Sequence, residues 1–168
     1  EEQDEFALAS QQKAIKAIDD GLFKDEIVPI TIKTKKEEFV FDTDEFPNRK
    51  TNLEKLAKLR PAFVKDGSVT AGNASGINDG AAFLLVASEE SLKENHLTPL
   101  VEIIGVGQGG VDPQYMGLGP VPAIRNALKN ANLTLKDIDI FELNEAFSAQ
   151  SLGVIKELVG HGVGTNVH

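Results

Sequence analysis

The run DIDIFELNEAF at residues 137–147 is the stretch that decides the fold class of this chain. Acidic and apolar residues alternate within it, and this period of two predicts a half-buried β-strand over 138–143. The pattern then changes at Asn144, and we predict a helix from Glu145 to about Leu158. An asparagine amide is therefore expected at a strand-to-helix junction, where it either caps the helix or faces a ligand.

Strand and helix patterns alternate along the rest of the chain as well. A helix is predicted over residues 2–20 with Gly21 at its C-terminal end, and short strands follow at 27–32 and 39–41. Next along the chain we predict a short helix over 53–59, a strand at 81–87 and a helix that begins after Ser88. A strand at 100–106, a turn at 107–110 and a helix from about Pro122 to Asn130 follow. This alternation indicates an α/β architecture with mixed sheets.

The composition excludes several classes of protein. The 168 residues carry a net charge of −9, are 41% hydrophobic and include no cysteine. No apolar run approaches the ~20 residues that cross a bilayer, and the acidic N-terminus lacks the basic and apolar parts of a signal peptide. Nucleic-acid binding depends on basic side chains that neutralise phosphates. We therefore expect a cytoplasmic protein that binds neither nucleic acid nor a membrane.

Basic residues are concentrated in one window of this acidic chain. Residues 33–65 hold nine basic and six acidic side chains. A small polyanion would be attracted to such a window. A solvated surface with ordinary charge mixing gives the same pattern, so both interpretations stay open.

Five segments, in order along the chain, resemble the thiolase family of acetyl-CoA C-acetyltransferases and 3-ketoacyl-CoA thiolases. They are FKDEIVP (23–29), KLRPAF (58–63), VTAGNASGINDGA (69–81), MGLGPVPA (116–123) and NEAF (144–147). The resemblance covers about residues 1–158. It implies a partial thiolase fold, in which mixed sheets and helices form the halves of an α/β sandwich that is incomplete at both ends.

The resemblance also implies a division of the chain into domains. Residues 1–68 correspond to the late part of the thiolase loop domain, and residues 69–97 to the end of the N-terminal core domain. Residues 98–158 correspond to the start of the C-terminal core domain, and residues 159–168 form an atypical tail.

The chain resembles a C-terminal-half fragment of a thiolase. The parent activity is acyl transfer between acetyl-CoA and acyl-CoA, by Claisen condensation or by thiolytic cleavage of a 3-ketoacyl-CoA. This chemistry needs a cysteine thiolate, so we expect the chain alone to be inactive. The alternatives are a non-catalytic coenzyme A-binding or assembly fragment that needs a separate N-terminal half, or a gene remnant without function.

Particular side chains take on roles through this resemblance. Asn144 would orient a water in an oxyanion hole, because negative charge develops on the thioester oxygen during the reaction. Ala71 and Ser75 would contact the pantetheine arm of coenzyme A. Met116 and Phe147 would line the same narrow apolar slot.

Two more residues belong to the expected coenzyme A site. Ala146 lies next to Phe147, and Arg49 would bind the adenine or ribose phosphate, because a guanidinium both stacks and binds phosphate. A slip of one residue around Arg49 stays open.

Coenzyme A is then a substrate, and no covalently bound cofactor is expected. The expected protein partner is a second copy of the chain or the missing thiolase half.

The tail GHGVGTNVH at residues 160–168 departs from the family pattern. His161 follows too soon after Asn144 and lacks the following proline to be the family's catalytic histidine. The tail is similar to a short motif of type I methionine aminopeptidases, in which the first histidine binds a metal. Because such a site also needs carboxylates, we predict no metal site.

Overall fold

The structure, a computed structural model, describes residues 1–160. The tail with His161 and His168 lies outside these residues, so the predictions made for it stay predictions. The described chain divides into two units. The first unit consists of residues 1–75 and 146–149, and the second of residues 76–145 together with the segment from 150 onwards.

Helix α1 opens the first unit and spans Glu2–Asp19, close to the predicted range. Its C-terminal end is a Schellman motif built on Gly21, whose φ is 71°. The Gly21 amide donates to the Ile18 carbonyl at 3.0 Å, and the Leu22 amide donates to the Ala17 carbonyl at 3.0 Å. These bonds satisfy carbonyls that the end of the helix leaves open. The predicted role of Gly21 is confirmed.

A β-hairpin follows α1 in the first unit. Strands β1 (Ile30–Lys33) and β2 (Glu38–Phe41) pair antiparallel, so that Ile30 lies opposite Phe41. The Thr34 amide donates to the Glu37 carbonyl at 2.8 Å and closes the turn. Both predicted strands are confirmed, although the first begins after Pro29, which cannot donate to a ladder.

Helix α2 (Leu53–Ala57) packs against α1 and supplies the core of the first unit. The Asn52 side chain caps it by accepting a hydrogen bond from the Lys55 amide at 2.9 Å. Leu56 is buried, and Gly72 lies directly on it. A Cβ added to Gly72 would lie 2.4 Å from Leu56 Cδ2, so any larger residue there would require the leucine side chain to shift.

The second unit contains helices α3 (Glu89–Glu94), α4 (Pro120–Asn130) and most of α5 (Ser148–Val159). The Ser88 hydroxyl caps α3 by accepting from the Ser91 amide at 3.2 Å, as predicted. Short 3-10 segments occur at Pro113–Leu118 and Leu135–Asp137. No helix within residues 1–160 combines the length and apolar character needed to cross a membrane.

Alternate glycines pack a segment of the second unit along α4. A Cβ added to Gly107 would lie 2.2 Å from the Ala127 nitrogen and 2.3 Å from the Ala123 oxygen. Gly105 and Gly109 face the same helix at similarly short distances. A period of two means that the segment runs extended. The predicted turn at 107–110 is therefore wrong, because these glycines serve close packing instead.

Two asparagines of α4 hold this segment by its backbone. Asn126 donates its side-chain amide to the Gln108 carbonyl at 2.7 Å, and Asn130 donates to the Val106 carbonyl at 2.8 Å. The two donors stand four residues apart on one helix face, and the two acceptors stand two residues apart on an extended chain. The helix thus satisfies carbonyls that would otherwise pair with a neighbouring strand.

Three predicted strands are not formed within the described residues. The segments 81–87, 100–106 and 138–143 contain no strand. Their apolar side chains are largely exposed, since Leu84 is 92% and Leu100 is 99% accessible. A strand needs a neighbour that accepts and donates backbone hydrogen bonds. No segment of residues 1–160 supplies one, so the three strands predicted from the apolar pattern are wrong for the described residues.

We predict that Gly107→Ala destabilises the chain by about 1–3 kcal/mol, because the added methyl meets backbone atoms of α4 that cannot rotate away. Urea unfolding measures this change. Gly110→Ala is the matched control: a Cβ there meets nothing within 4 Å, and its effect should stay within about 0.5 kcal/mol. Equal stabilities of the two variants would contradict the packing of this segment on α4.

Candidate functional site

Two segments that carry predicted site residues meet in an antiparallel bridge in the first unit. Ala74 pairs with Phe147. The Ser75 amide donates to the Ala146 carbonyl at 2.9 Å, and the Ser148 amide donates to the Asn73 carbonyl at 3.0 Å. The bridge therefore places Ser75 beside Ala146 and Phe147, which are far from it in sequence.

The Asn73 side chain fixes the turn that precedes this bridge. It is only 3% exposed. Its Oδ1 accepts from the Thr70 amide at 2.9 Å, while its Nδ2 donates to Asp4 Oδ1 at 2.9 Å and to the Ser68 carbonyl at 3.0 Å. Asn73 was not among the residues predicted from the sequence. The available signal was an asparagine after a glycine in a loop, where such side chains commonly bond nearby backbone.

The aromatic ring of Phe147 is held from one side by Phe63. The ring centroids are 6.0 Å apart and the planes meet at 71°, an edge-to-face arrangement. Phe63 belongs to the KLRPAF segment, which also joins the loop through the bridge of Pro61 with Thr70. Three of the five segments that suggested the family thus meet within the first unit.

Asn144 is not the cap of α5. The helix begins at Ser148, so both the predicted start at Glu145 and the capping alternative are wrong. The physical reason is the bridge, which holds Ala146 and Phe147 in an extended ladder before the helix can begin. The Asn144 side chain is exposed and forms no hydrogen bond within residues 1–160. Its amide is therefore available to a ligand or a water.

Met116, Ala71 and Ser75 are all exposed. Met116 lies in the 3-10 segment Pro113–Leu118, whose first turn is capped by the Asp112 carboxylate. An exposed thioether, methyl group and hydroxyl suit contact with a ligand but do not by themselves define one. Residues 1–160 contain no cluster of three or more histidine, aspartate or glutamate side chains fit to hold a metal ion.

Arg49 lies against α1 and pairs with Asp19. Its Nη1 donates to Asp19 Oδ2 at 2.9 Å and its Nη2 to Asp19 Oδ1 at 2.6 Å, a two-pronged arrangement. These hydrogen bonds hold the pKa of Asp19 below its ordinary value and raise that of Arg49. Both side chains remain about half exposed. Nothing in the sequence signalled Asp19, which stands thirty positions away.

An open cleft of about 450 Å³ surrounds this ion pair. It is lined by α1 residues such as Gln11 and Asp19 and by the segment from Asn48 to Thr51. The Asn48 amide donates to Gln11 Oε1 at 2.7 Å, which ties this segment to the helix. The lining does not include Ala71, Ser75, Ala146 or Phe147.

Ion pairs occupy only part of the basic window at residues 33–65. Lys33 pairs with Glu38, Lys58 with Glu54, and Arg49 with Asp19. The other six basic side chains form no ion pair within residues 1–160. The window keeps uncompensated positive charge at the surface, which is compatible with both interpretations offered for it.

Comparison with known proteins identifies the class of protein that carries these segments. The thiolase N-terminal domain matches residues 1–90, and the thiolase C-terminal domain matches residues 97–168. The chain belongs to the thiolase family. The resemblance found in the sequence is confirmed. The C-terminal match also includes residues 159–168, which were expected to depart from the family pattern.

Similar proteins bear acyltransferase names. The chain is 57% identical over 158 residues to the acetyl-CoA acetyltransferase of Syntrophomonas wolfei, and 56% identical over 159 residues to a probable acetyl-CoA acyltransferase of Staphylococcus aureus. Each alignment covers 94% of this chain but 40% of the relative. The chain thus spans about two fifths of the length of these relatives.

Solved structures confirm the partial thiolase fold. The Bacillus anthracis acetyl-CoA acetyltransferase matches with a TM-score of 0.90 at 57% identity, over 94% of this chain and 40% of that one. Human mitochondrial 3-ketoacyl-CoA thiolase in complex with CoA matches with a TM-score of 0.85 at 50% identity, over 94% of this chain and 39% of that one. The fold class predicted from the sequence is confirmed.

We predict that Asn144→Ala leaves the stability of the chain nearly unchanged, because Asn144 neither caps α5 nor packs in the core. Asn52→Ala is the matched control, since Asn52 does cap α2, and it should cost about 1 kcal/mol. Urea unfolding of both variants compares the two asparagines. A loss at Asn144 as large as that at Asn52 would restore the capping role.

Proposed function

We propose that this chain forms part of a thiolase that transfers acyl groups between acetyl-CoA and acyl-CoA, by condensation or by thiolytic cleavage of a 3-ketoacyl-CoA. The observation that carries the proposal is the bridge of Ala74 with Phe147, which joins two segments of the family pattern. The names of the related proteins support the same reaction class.

The proposed site receives coenzyme A as a substrate. Ala71 and Ser75 contact its pantetheine arm, and Met116, Ala146 and Phe147 line the slot around it. Support comes from the bridge that joins Ser75 to Ala146, and from the structural relative that is in complex with CoA. Arg49 contributes to binding at the nucleotide end, with Asp19 as the competitor for its guanidinium.

Asn144 supplies the oxyanion donor in this proposal. When a thiolate attacks the thioester carbon, negative charge develops on the carbonyl oxygen, and preorganised donors lower the barrier by meeting it. An exposed amide that is engaged in neither a cap nor another hydrogen bond of the described residues is suited to orient a water towards that oxygen.

The nucleophile has to come from outside these 168 residues, because they include no cysteine. We propose that the segments 83–86 and 100–106 pair with thiolase sequence that the chain does not contain. Their apolar side chains are exposed, and exposed strand-forming segments favour association. The alternatives are a non-catalytic coenzyme A-binding or assembly fragment and a remnant without function.

We predict no thiolytic cleavage of acetoacetyl-CoA by the isolated chain, because thioester exchange needs a thiolate. Activity should appear when residues 1–158 replace the matching part of the Syntrophomonas wolfei acetyl-CoA acetyltransferase. A steady-state assay of both proteins tests the proposal. Turnover by the isolated chain, or a folded but inactive chimera, would contradict it.

The same chimera tests Asn144. Asn144→Asp should lower turnover on the order of a hundredfold, because a carboxylate repels the developing oxyanion. Asn95→Asp is the control, since Asn95 bonds only within and beside α3 and should leave turnover unchanged. Near-normal turnover of the Asn144→Asp chimera would remove the oxyanion role.

We further predict that Arg49→Ala weakens binding of coenzyme A roughly two- to fivefold, because an exposed charge contributes modestly. Calorimetry with coenzyme A and with its 3′-dephospho form measures the effect. Asp19→Asn is the matched control: it frees the guanidinium from its carboxylate, and binding should be kept or strengthened. If Arg49→Ala binds both forms as tightly as the unmodified chain does, Arg49 does not contact the nucleotide.

A further inference from the structure

The bridge between Ala74 and Phe147 has only two backbone hydrogen bonds, those donated by Ser75 and Ser148. An isolated bridge of this length has little stability of its own, because a ladder gains strength from successive pairs. Something else must therefore hold its two sides in register. The residue immediately before Ala74 is the buried Asn73, whose main chain takes part in the bridge.

Asn73 links three parts of the first unit at once. Its side chain accepts from Thr70 and donates to Ser68, which closes the turn that precedes the bridge. The same amide nitrogen donates to Asp4 at 2.9 Å and so reaches α1. Its carbonyl accepts from the amide of Ser148, the first residue of α5.

These bonds leave the Asn73 side chain no freedom to turn. Both its oxygen and its nitrogen are engaged, and it is almost completely buried. Gly72 beside it lies against Leu56 and Leu59, with a hypothetical Cβ at 2.4 and 2.5 Å from their methyl groups. The turn is thus fixed by α1 on one side and by the end of α2 on the other.

We infer that Asn73 is a positioning residue, which sets the distance between Ser75 and the Ala146–Phe147 pair without touching the ligand itself. The inference rests on the proposed coenzyme A site, since those are its expected contacts. The hydrogen bond between Asp4 on α1 and Asn73 in the loop then governs the spacing between Ser75 and the Ala146–Phe147 pair.

Because Asp4 carries a charge, this hydrogen bond can be tested by swapping the carboxylate and the amide between positions 4 and 73. Asn73→Asp keeps the volume of the side chain but sets a carboxylate against the Asp4 carboxylate and removes the donor to Ser68. Adding Asp4→Asn restores the pair in reverse, because the new amide at position 4 donates to the new carboxylate at position 73. Asp4→Asn alone keeps an oxygen that accepts from Asn73.

The experiment measures amide hydrogen exchange in the full 168-residue chain. In Asn73→Asp, protection at the Ser75 and Ser148 amides should fall at least about tenfold, as expected when a partly buried hydrogen bond to a charged group is lost. Protection at the Leu22 amide, which closes α1, should change less. The double variant Asp4→Asn/Asn73→Asp should recover part of the loss, because the bond to position 4 returns while the donor to Ser68 stays absent. Asp4→Asn alone should resemble the unmodified chain.

Recovery of amide protection in the double variant distinguishes a hydrogen bond that positions the loop from a side chain that only fills space. The inference is overturned if the Ser75 and Ser148 amides are as well protected in Asn73→Asp as in the unmodified chain. It is also overturned if the double variant recovers none of the lost protection. If Asn73→Asp unfolds the chain, refolding of the double variant supports the inference and its failure to refold overturns it.

Calorimetry with coenzyme A supplies the second readout. Affinity should fall in Asn73→Asp and return in part in the double variant, together with the protection of the two amides. Unchanged affinity in Asn73→Asp despite lost protection would overturn the positioning role. If the unmodified chain binds no coenzyme A, the proposed site fails by itself, and the exchange data still decide whether Asn73 holds the two segments together.

Discussion

The pairing of Ala74 with Phe147 is the constraint on which the first unit depends. It forces the chain around Ala146 to stay extended, and this delays the start of α5 until Ser148. One short ladder therefore determines both the shape of the loop that carries Ser75 and the conformation of the segment that follows Asn144. Its stability comes from the buried amide of Asn73, because two backbone hydrogen bonds alone do not hold distant segments together.

The second unit depends on close packing between α4 and an extended glycine segment. Gly105, Gly107 and Gly109 let the backbone approach the helix, and Asn126 and Asn130 then reach its carbonyls. This arrangement provides hydrogen-bond donors for the backbone carbonyls on the side of the segment that faces the helix. It does nothing for the apolar side chains that precede Gly105, which stay exposed because they have no sheet neighbour within residues 1–160.

Local signals account for the features that the sequence predicted correctly. Gly21 and Ser88 mark helix ends through bonds within a few residues of themselves. The errors have a different origin, because they concern long-range partners. The start of α5 is set by Ala74, and the packing of Gly107 is set by α4, so neither is visible in the local pattern around those positions.

The same distinction applies to the candidate site. Family segments located Ser75 and Phe147, and the structure brings their neighbourhoods together, whereas Asp19 and Asn73 carried no comparable signal. Asp19 acts through a salt bridge to Arg49, and Asn73 through a hydrogen bond to Asp4, across 30 and 69 positions of sequence. Side chains that act through such distant partners are identified only when the fold is known.

Asn73 and Asn144 illustrate two ways in which an asparagine serves a site. Asn73 is buried, and every bond it makes contributes both to folding and to the geometry of the loop, so its two roles cannot be separated by deletion alone. Asn144 is exposed and contributes neither a cap to α5 nor core packing. A donor of this kind is useful only beside a reacting thioester, where charge develops that an amide or its water can meet. In its proposed role, Asn144 therefore depends on a thiolate that these 168 residues do not supply.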